Sequence, residues 1–358
     1  MNNERYPIKL TADVFSEENE TLAGLLKVIT KAENPRILLV ADVNVVNRTE
    51  GLGTKIGRYL QAHGITLVAS PVVISGSEKA KYDDFHSGMR IASAAISAKI
   101  GVNDVMLVLG GGSMIDVAGW AAAQVRGGIN VVRMPTSVAA MIDGAYSEYA
   151  ALDICGVKDS MRVASKPAAV VIDTAFASTV LDGVWRAGFA EAVRLAAVYD
   201  ANFLKRLSEL SELYNARETS TLDEVVRSSI ELRQKNGATT FGLWSALRLE
   251  SMSGYKLPHG YAVAIGIVID AYYAQLRGLI TEEERDFLCS TLDSCGAMDC
   301  AFYSRRLIAQ VDSLICGLDA LRLSTGSEAI VLPNGLGKSI VEEKPDRDTM
   351  KSALNMLK

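Results

Sequence analysis

Short apolar runs alternate with helical segments through the first half of the chain. Each run ends in polar or turn-forming residues, as buried strands of a parallel sheet do where a helix follows. This alternation predicts an α/β N-terminal domain over residues 1–180. The apolar runs lie at residues 36–41, 66–74, 104–110, 129–134 and 168–173.

The apolar pattern becomes helical after about residue 174. Apolar residues then recur at spacings of three and four with few β-branched runs, which indicates helices packed on one another. The pattern predicts an all-helical C-terminal domain over residues 181–358, with the active cleft between the two domains. The predicted helices cover residues 185–210, 222–234, 241–253, 262–276, 282–292 and 304–314, followed by a charged surface helix within 338–358.

A glycine-rich turn is the most informative local sequence. Gly110, Gly111 and Gly112 follow an apolar strand, and a helix opens near Ser113. Residues without a Cβ let backbone N–H groups approach a phosphate closely, and the helix N-terminus favours negative charge. The turn therefore predicts a site for the pyrophosphate of a dinucleotide, although a tight strand-to-helix connection without a ligand explains the same residues.

Polar side chains also follow three other predicted strands. Asp42 and Asn44 end the run at 36–41, Glu78 and Lys81 follow the run at 66–74, and Pro135-Thr136-Ser137 follow the run at 129–134. Ligands of open α/β sheets bind at the carboxyl ends of the strands, so one crevice could collect these groups. Asp42 and Asn44 would suit ribose hydroxyls.

Composition narrows the class of protein. The 358 residues are 49% hydrophobic, no run approaches the roughly 20 apolar residues of a membrane span, and the polar start lacks a signal peptide's apolar segment. We expect a cytoplasmic protein. A net charge of −5 without a basic block argues against nucleic acid. The cysteines are odd in number and form no Cys-x-x-Cys pair, so we expect reduced thiols at Cys155, Cys289, Cys295, Cys300 and Cys316.

In their order along the chain, these motifs resemble the dehydroquinate synthase-like superfamily. It includes sugar-phosphate cyclases, glycerol-1-phosphate dehydrogenases and iron-containing polyol dehydrogenases. The Asp143-Gly144 segment is similar to the glycerol-1-phosphate dehydrogenase branch, whereas the region of His259 is similar to the cyclase branch. The resemblance rests on Asp42/Asn44, Glu78/Lys81, Gly110 to Asp116, Arg126-Gly127, Pro135 to Ser137, Ala190-Glu191 and His259 to Gly266.

The resemblance implies NAD as the cofactor, and the sequence leaves NADP open as well. Gly110 to Gly112 would contact the pyrophosphate, and Asp42 and Asn44 would lie near the adenosine ribose. The remaining implied cofactor contacts are Glu78, Lys81, Ser113, Asp116, Thr136, Ser137, Lys158, Phe176 and Thr179.

The family's metal site is incomplete in this sequence. The resemblance implies a zinc or iron ion held by one acid and two histidines, of which Glu191 and His259 are present but Leu243 replaces the middle histidine. A catalytic zinc site takes three protein ligands plus water, so the sequence predicts that Glu191 and His259 are remnants that hold no metal. A working metal site completed by Glu250 or water is the alternative.

Further contacts of the family are altered or kept. Arg194 replaces a lysine, and Lys158 is expected on the nicotinamide side, where a solvated hairpin lysine is the alternative. Arg126 resembles a family residue that reaches the substrate phosphate across a dimer interface, and the resemblance therefore implies a homodimer. An equally good explanation is that Arg126 only binds the last carbonyl groups of a helix. The expected catalytic residues are Asp143, Lys158, Glu191, Arg194 and His259, and the expected substrate contacts are Arg126, Arg233 and Glu250.

These observations favour one function over two others. We expect an NAD-dependent protein that acts on a polyol or sugar phosphate by hydride transfer, as a cyclase or polyol dehydrogenase, without zinc. One alternative is a catalytically inactive NAD-binding or assembly-partner homologue. The other is an oxidoreductase similar to glycerol-1-phosphate dehydrogenase.

Overall fold

The computed structural model describes residues 6–299 and 301–357. The chain divides into two compact units that join between Val180 and Leu181. We call them the α/β unit and the helical unit and describe each by itself.

A seven-stranded parallel sheet forms the α/β unit. Its order is β1-β9-β6-β5-β2-β3, and β4 pairs with β2 beside β3. The strands are β1 (Ile8–Leu10), β2 (Arg36–Asp42), β3 (Thr66–Leu67), β4 (Val72–Ile74), β5 (Val105–Gly110), β6 (Asn130–Pro135), β7 (Tyr149–Ile154), β8 (Val157–Ala164) and β9 (Ala169–Ile172). The helices are α1 (Glu20–Thr30), α2 (Val43–Arg48), α3 (Leu52–Ala62), α4 (His86–Ser97), α5 (Gly112–Gln124) and α6 (Val138–Ile142), with 3₁₀ turns at Glu78–Lys81, Gly144–Tyr146 and Thr174–Thr179.

The predicted α/β class is confirmed, and two details differ from the prediction. The single strand expected at 66–74 is two short strands, and Pro71 between them has no N–H to donate to a sheet. An antiparallel hairpin of β7 and β8 stands apart from the main sheet. Cys155 and Gly156 both have positive φ at its turn, as the tight turns of two-residue hairpins require.

The helical unit is arranged around one buried helix. Its helices are α7 (Asp182–Tyr199), α8 (Ala201–Asn215), α9 (Thr219–Asn236), α10 (Leu243–Met252), α11 (His259–Leu276), α12 (Glu282–Ser294), α13 (Ala301–Ile308), α14 (Val311–Thr325) and α15 (Arg347–Met356). Every residue of α11 from Gly260 to Ala271 is buried, and α7, α10, α12 and α15 pack around it. A helix that is apolar on all sides is typical of the centre of a domain.

The predicted helical C-terminal unit is confirmed, and its details differ from the prediction. The helix expected at 185–210 is interrupted at Asp200, whose side chain accepts hydrogen bonds from the first N–H groups of α8. The segment expected at 304–314 divides between α13 and α14. The unit also contains an antiparallel hairpin of β10 (Ile330–Pro333) and β11 (Ser339–Glu342), so it is not all-helical, and β11 occupies part of the expected C-terminal helix.

Two sequence expectations concern membranes and thiols. Among the described residues, no helix is long and apolar enough to cross a bilayer. Cys155, Cys289, Cys295 and Cys316 are free thiols, and Cys300 lies outside the described residues.

Candidate nucleotide and substrate sites

The glycine turn joins the central strand β5 to α5. The strand is buried along its whole length, and no side chain caps the N-terminus of α5. A Cβ built on Gly112 would meet no atom within 4 Å, whereas one on Gly110 would lie 2.6 Å from the side chain of Met114. Gly110 is therefore required for packing, and Gly112 faces open space at a helix N-terminus, as an anion site requires.

Residues from the 129–144 region adjoin this turn. The backbone N–H of Thr136 donates to the Gly110 carbonyl at 3.1 Å, and Ser137 Oγ lies 3.3 Å from a Cβ built on Gly111. A Cβ on Gly144 would lie 3.7 Å from the Cα of Gly112, so the Asp143-Gly144 segment runs beside the turn. Asp143 itself is half-buried at the end of α6.

Asp42 serves first as a helix cap. Its Oδ1 accepts from the backbone N–H of Asn44 at 2.9 Å, from the Asn44 side chain at 3.2 Å and from the N–H of Gly76 at 3.3 Å. A Cβ on Gly76 would overlap the Asp42 carboxylate at 2.2 Å. The structure thus brings Asp42 and Asn44 together at the end of β2, with Asp42 buried.

Lys81 lies at the centre of a buried charge network. Its Nζ donates to Asp116 at 2.8 Å and to Asp159 at 2.7 Å, and Asp153 lies 3.8 Å away. Burial opposes the charge on Lys81, but the three carboxylates together raise its pKa well above the usual value. Burial likewise opposes the charge on Asp159, and Lys81 and Lys158 lower the pKa of that carboxyl to about 2.

Glu78 connects the same network to α5. One carboxylate oxygen accepts from Ser113 Oγ at 2.5 Å, and the other forms an ion pair with Lys158, which also lies 3.5 Å from Asp153. The side chain of Lys158 is buried, so it is not a solvated hairpin lysine. We name this set of connected side chains the lysine network: Glu78, Lys81, Ser113, Asp116, Asp153, Lys158 and Asp159.

Sequence reasoning missed two members of the lysine network. Asp153 and Asp159 lie on the β7–β8 hairpin, which folds against the 3₁₀ turn at Glu78–Lys81 and against α5. Acidic residues close to a predicted binding lysine were the available signal. The last two predicted cofactor contacts, Phe176 and Thr179, are buried in the turn after β9, where Thr179 donates to the Phe176 carbonyl.

The helical unit brings Glu191 of α7, Glu250 of α10 and His259 of α11 together. His259 Nδ1 lies 2.7 Å from Glu250 Oε1, and its Nε2 lies 3.3 Å from Glu191 Oε1. Both carboxylates are 1% exposed, while the side chain of His259 is 38% exposed. Together with Arg194 we call these residues the acid–histidine cluster.

Arg194 points back along α7 onto Glu191. Its Nε and one terminal nitrogen donate to the same Glu191 oxygen at 2.9 and 2.6 Å, and the other terminal nitrogen donates to the Thr239 carbonyl. The guanidinium is 1% exposed. Residues three apart on a helix are neighbours, which places the charge of Arg194 directly on the first acid of the cluster.

Opposing effects set the ionisation of this cluster. Burial would raise the pKa of Glu191, but Arg194 and His259 lower it to about 2. Burial would lower the pKa of His259, but Glu250 and Glu191 raise it to about 10. Two carboxylates therefore face two cations inside the helical unit.

These side chains do not fit a divalent metal. Leu243 and Leu247 are half-buried one turn apart on the face of α10 that carries Glu250, and neither has a lone pair. Arg194 holds one oxygen of Glu191, and Glu250 holds Nδ1 of His259. The other Glu191 oxygen is buried without a hydrogen-bond partner in the described part of the chain and lies 3.3 Å from His259 Nε2, so the cluster offers an ion two donors where a catalytic zinc site takes three. Among the described residues, no group of three or more His, Cys, Asp and Glu side chains could hold a metal ion.

The predicted substrate contacts are Arg126, Arg233 and Glu250. Arg126 is exposed after α5 in the α/β unit and donates to the Ile100 carbonyl at 3.0 Å. Arg233 lies in the last turn of α9, and its carbonyl accepts from Gly237. Glu250, the third, belongs to the acid–histidine cluster.

The fold defines a class of protein that joins a parallel α/β unit with a nucleotide-type glycine turn to a helical unit. Two family models match the chain: 3-dehydroquinate synthase N-terminal over residues 71–187 and 3-dehydroquinate synthase C-terminal over residues 188–305. The chain belongs to the dehydroquinate synthase-like superfamily, and the family predicted from the motifs is confirmed.

Curated relatives are 3-dehydroquinate synthases and sugar-phosphate cyclases, as the sequence predicted. The chain is 28% identical over 372 residues to the 3-dehydroquinate synthase of Rhodopseudomonas palustris strain BisB18, covering 96% of this chain and 92% of the relative. It is 24% identical over 344 residues to a 2-epi-valiolone synthase of Actinosynnema mirum, covering 92% and 88%.

Two solved structures share the fold. One is a 2-epi-5-epi-valiolone synthase from Streptomyces hygroscopicus with NAD⁺ and Zn²⁺ bound, with a TM-score of 0.86, 22% identity and coverage of 100% of this chain and 98% of the other. The second is a 2-deoxy-scyllo-inosose synthase complexed with carbaglucose-6-phosphate, NAD⁺ and Co²⁺, with a TM-score of 0.79, 18% identity and coverage of 99% and 97%.

Proposed function

We propose that this protein binds NAD and transfers a hydride from a secondary alcohol of a polyhydroxylated or phosphorylated substrate, as a sugar-phosphate cyclase or polyol dehydrogenase. The observation that carries the proposal is the open space in front of Gly112 at the uncapped N-terminus of α5. These residues fit a dinucleotide pyrophosphate, because N–H groups and the helix dipole face the space that it would fill. NAD supplies the hydride acceptor when bound.

The surrounding residues of the α/β unit would orient the cofactor. Ser113 lies in the first turn of α5 and Asp116 in the turn that follows, and Glu78 and Lys81 hold them by a hydrogen bond and an ion pair. This fixes the direction of the N–H groups that would receive the phosphates. Asp42 and Asn44 remain the proposed contacts to the adenosine ribose, and Lys158 the proposed cation on the nicotinamide side.

A small polyol or sugar phosphate as substrate is supported by the names of the relatives and by the bound ligand of the 2-deoxy-scyllo-inosose synthase. We propose further that the reaction proceeds without zinc or iron, since the acid–histidine cluster does not fit a metal. The charge that stabilises an alkoxide would then come from side chains of this chain.

Single substitutions test the nucleotide site. Gly112→Ala adds a Cβ that meets no atom within 4 Å, and Gly112→Val extends further into the same space. The fold should therefore persist in the alanine variant while NAD binding weakens, at least about ten-fold for valine. Gly24→Val is the matched control, because a Cβ at that helical position also meets nothing within 4 Å. Calorimetric titration that shows equal NAD affinity for Gly112→Val and Gly24→Val would refute the proposed site.

The acid–histidine cluster also favours a second candidate, a homologue that binds NAD but has lost the reaction, because both acids are already engaged by internal cations. Turnover of polyhydroxylated phosphates and their unphosphorylated analogues in the presence of NAD, followed by mass spectrometry of the products, separates the two. Product is the readout because a reaction that returns the hydride accumulates no NADH, whereas a dehydrogenase accumulates it. A substrate deuterated at the carbinol carbon should slow turnover if this chain performs the hydride transfer. Saturable NAD binding without turnover of any such compound would favour the inactive homologue.

A further inference from the structure

We infer that the guanidinium of Arg194 excludes divalent metal from the acid–histidine cluster by taking the counter-charge position on Glu191. The inference concerns metal binding and holds whichever reaction the protein performs. Metal binding is then prevented by a residue that is present, Arg194, as well as by the absence of a ligand histidine.

Glu191 is held on one side by Arg194. One of its oxygens accepts two hydrogen bonds from Arg194, and the guanidinium is anchored on its other side by the Thr239 carbonyl. A divalent ion on this carboxylate would lie within a few ångströms of a full positive charge from which water is excluded. Repulsion at that distance is strong in a buried site, so metal would have to displace the guanidinium.

The ring nitrogens of His259 are the other donors of the cluster. His259 Nδ1 faces Glu250 and Nε2 faces Glu191, at 2.7 and 3.3 Å. A metal-bound imidazole needs one ring nitrogen directed at the ion, with the other held by a carboxylate or carbonyl. Here Glu250 holds Nδ1, and Nε2 faces Glu191 Oε1, a buried oxygen that accepts no hydrogen bond from the described residues. An ion between Nε2 and this oxygen would therefore have two protein donors, with the guanidinium of Arg194 on the other oxygen of the same carboxylate.

Leu243 occupies the position of the missing ligand histidine. It lies one turn before Leu247 on the face of α10 that carries Glu250, so an imidazole at position 243 would share the helix face that contributes to the cluster. If the missing ligand were the sole obstacle, Leu243→His would restore metal binding by itself. If Arg194 excludes the ion, two changes are required, and the effect of the first depends on the second.

The experiment compares Zn²⁺ and Co²⁺ binding to the full-length protein and its variants. Wild type, Leu243→His, and the double variant Leu243→His with Arg194→Met are titrated, and tetrahedral Co²⁺ absorption reports the ligand set. The matched control is Leu243→His with Arg206→Met, because Arg206 is an arginine of α8 whose ion pairs are exposed. Circular dichroism confirms folding, and Arg194→Gln, which also removes the charge, replaces Arg194→Met if the latter does not fold.

We expect wild type, Leu243→His and the Arg206 control to bind both ions weakly, and the Arg194 double variant to bind at least about ten-fold more tightly. Equal affinity of Leu243→His and the Arg194 double variant would overturn the inference. Stoichiometric zinc in the purified wild type that His259→Ala removes would overturn it as well. These readouts do not involve NAD, so they separate a failure of this inference from a failure of the proposed function.

Discussion

The pairing of Arg194 with Glu191 determines the character of the helical unit's polar centre. A buried ion pair is weak support for stability in itself, because both groups lose water when they are buried. Removal of one partner is costly, since the other charge then stays buried without compensation. Arg194 therefore acts as a positioning residue that keeps Glu191 ionised and fixed in direction.

Arg194→Met should destabilise the folded protein by about 3–5 kcal/mol, because it leaves the Glu191 carboxylate uncompensated in the core. Chemical denaturation monitored by circular dichroism measures the loss. Arg206→Met is the control, since Arg206 pairs with Glu209 and Glu224 in water and its removal should barely shift the midpoint. Equal shifts for the two variants would show that the Arg194 pair is not buried as described.

Single residues also show where sequence reasoning reached its limit. Glu191 and His259 were identified through family motifs, and the loss of the ligand histidine at Leu243 was visible directly. The contact between Arg194 and Glu191 was accessible from their spacing on a helix. The position of Glu250 against His259 was not, because it depends on how α10 and α11 pack.

The start of α10 depends on a carboxyl group from α11. Asp270 is fully buried, and it accepts hydrogen bonds from the backbone N–H of Gly242 at 2.7 Å and from the indole of Trp244 at 2.8 Å. The two helices touch through glycines, because a Cβ on Gly266 would lie 1.9 Å from the Gly242 carbonyl oxygen. Burial raises the pKa of Asp270 to about 7, despite these hydrogen bonds.

This raised pKa predicts a pH dependence of stability. Between about pH 4 and pH 7 the folded protein binds more protons at Asp270 than the unfolded chain does, so this contribution to stability falls as the pH rises. Denaturant midpoints of wild type and Asp270→Asn across this range isolate it. The stability advantage of wild type over the variant should shrink by on the order of 3 kcal/mol from low to neutral pH. Parallel pH profiles would contradict the prediction.

The elements themselves were predicted unevenly for physical reasons. The main strands are continuous apolar runs, and most helices show apolar residues at helical spacing. The two-helix segment at 185–210 is apolar on both sides of its break, so the helical spacing runs through Asp200. Asp200 as a helix cap was the available signal. The strands of the β10–β11 hairpin are short, and β8 is largely exposed, so both hairpins are stabilised by strand pairing rather than by a continuous apolar run.

The whole chain combines well-kept nucleotide motifs with an altered polar centre in the helical unit. The family models together cover residues 71–305 and so extend over parts of both units. The glycine turn, Glu78 and Lys81 retain the residues of the family motifs, while Leu243 and Arg194 replace a histidine and a lysine of the family pattern. We interpret this division as a kept cofactor combined with changed substrate chemistry.

We also propose that the protein forms a homodimer. Arg126 is exposed at a positive φ of 53°, beside Gly127 and Gly128, which also have positive φ. The resemblance places this arginine at a two-fold interface, and most soluble oligomers of one chain have such symmetry. Sedimentation velocity at micromolar concentration should show a dimer, and a single monomeric species would contradict both the dimer and the role of Arg126 across it.

A titration of NAD into chelator-treated protein, with metals counted in the same sample, tests most directly whether this chain binds its cofactor without a metal. We predict that about one NAD binds per chain while zinc and iron are negligible. The affinity for NAD should stay the same when zinc is returned, because Gly112 and the lysine network need no metal. Absence of NAD binding until zinc or iron is returned would contradict it.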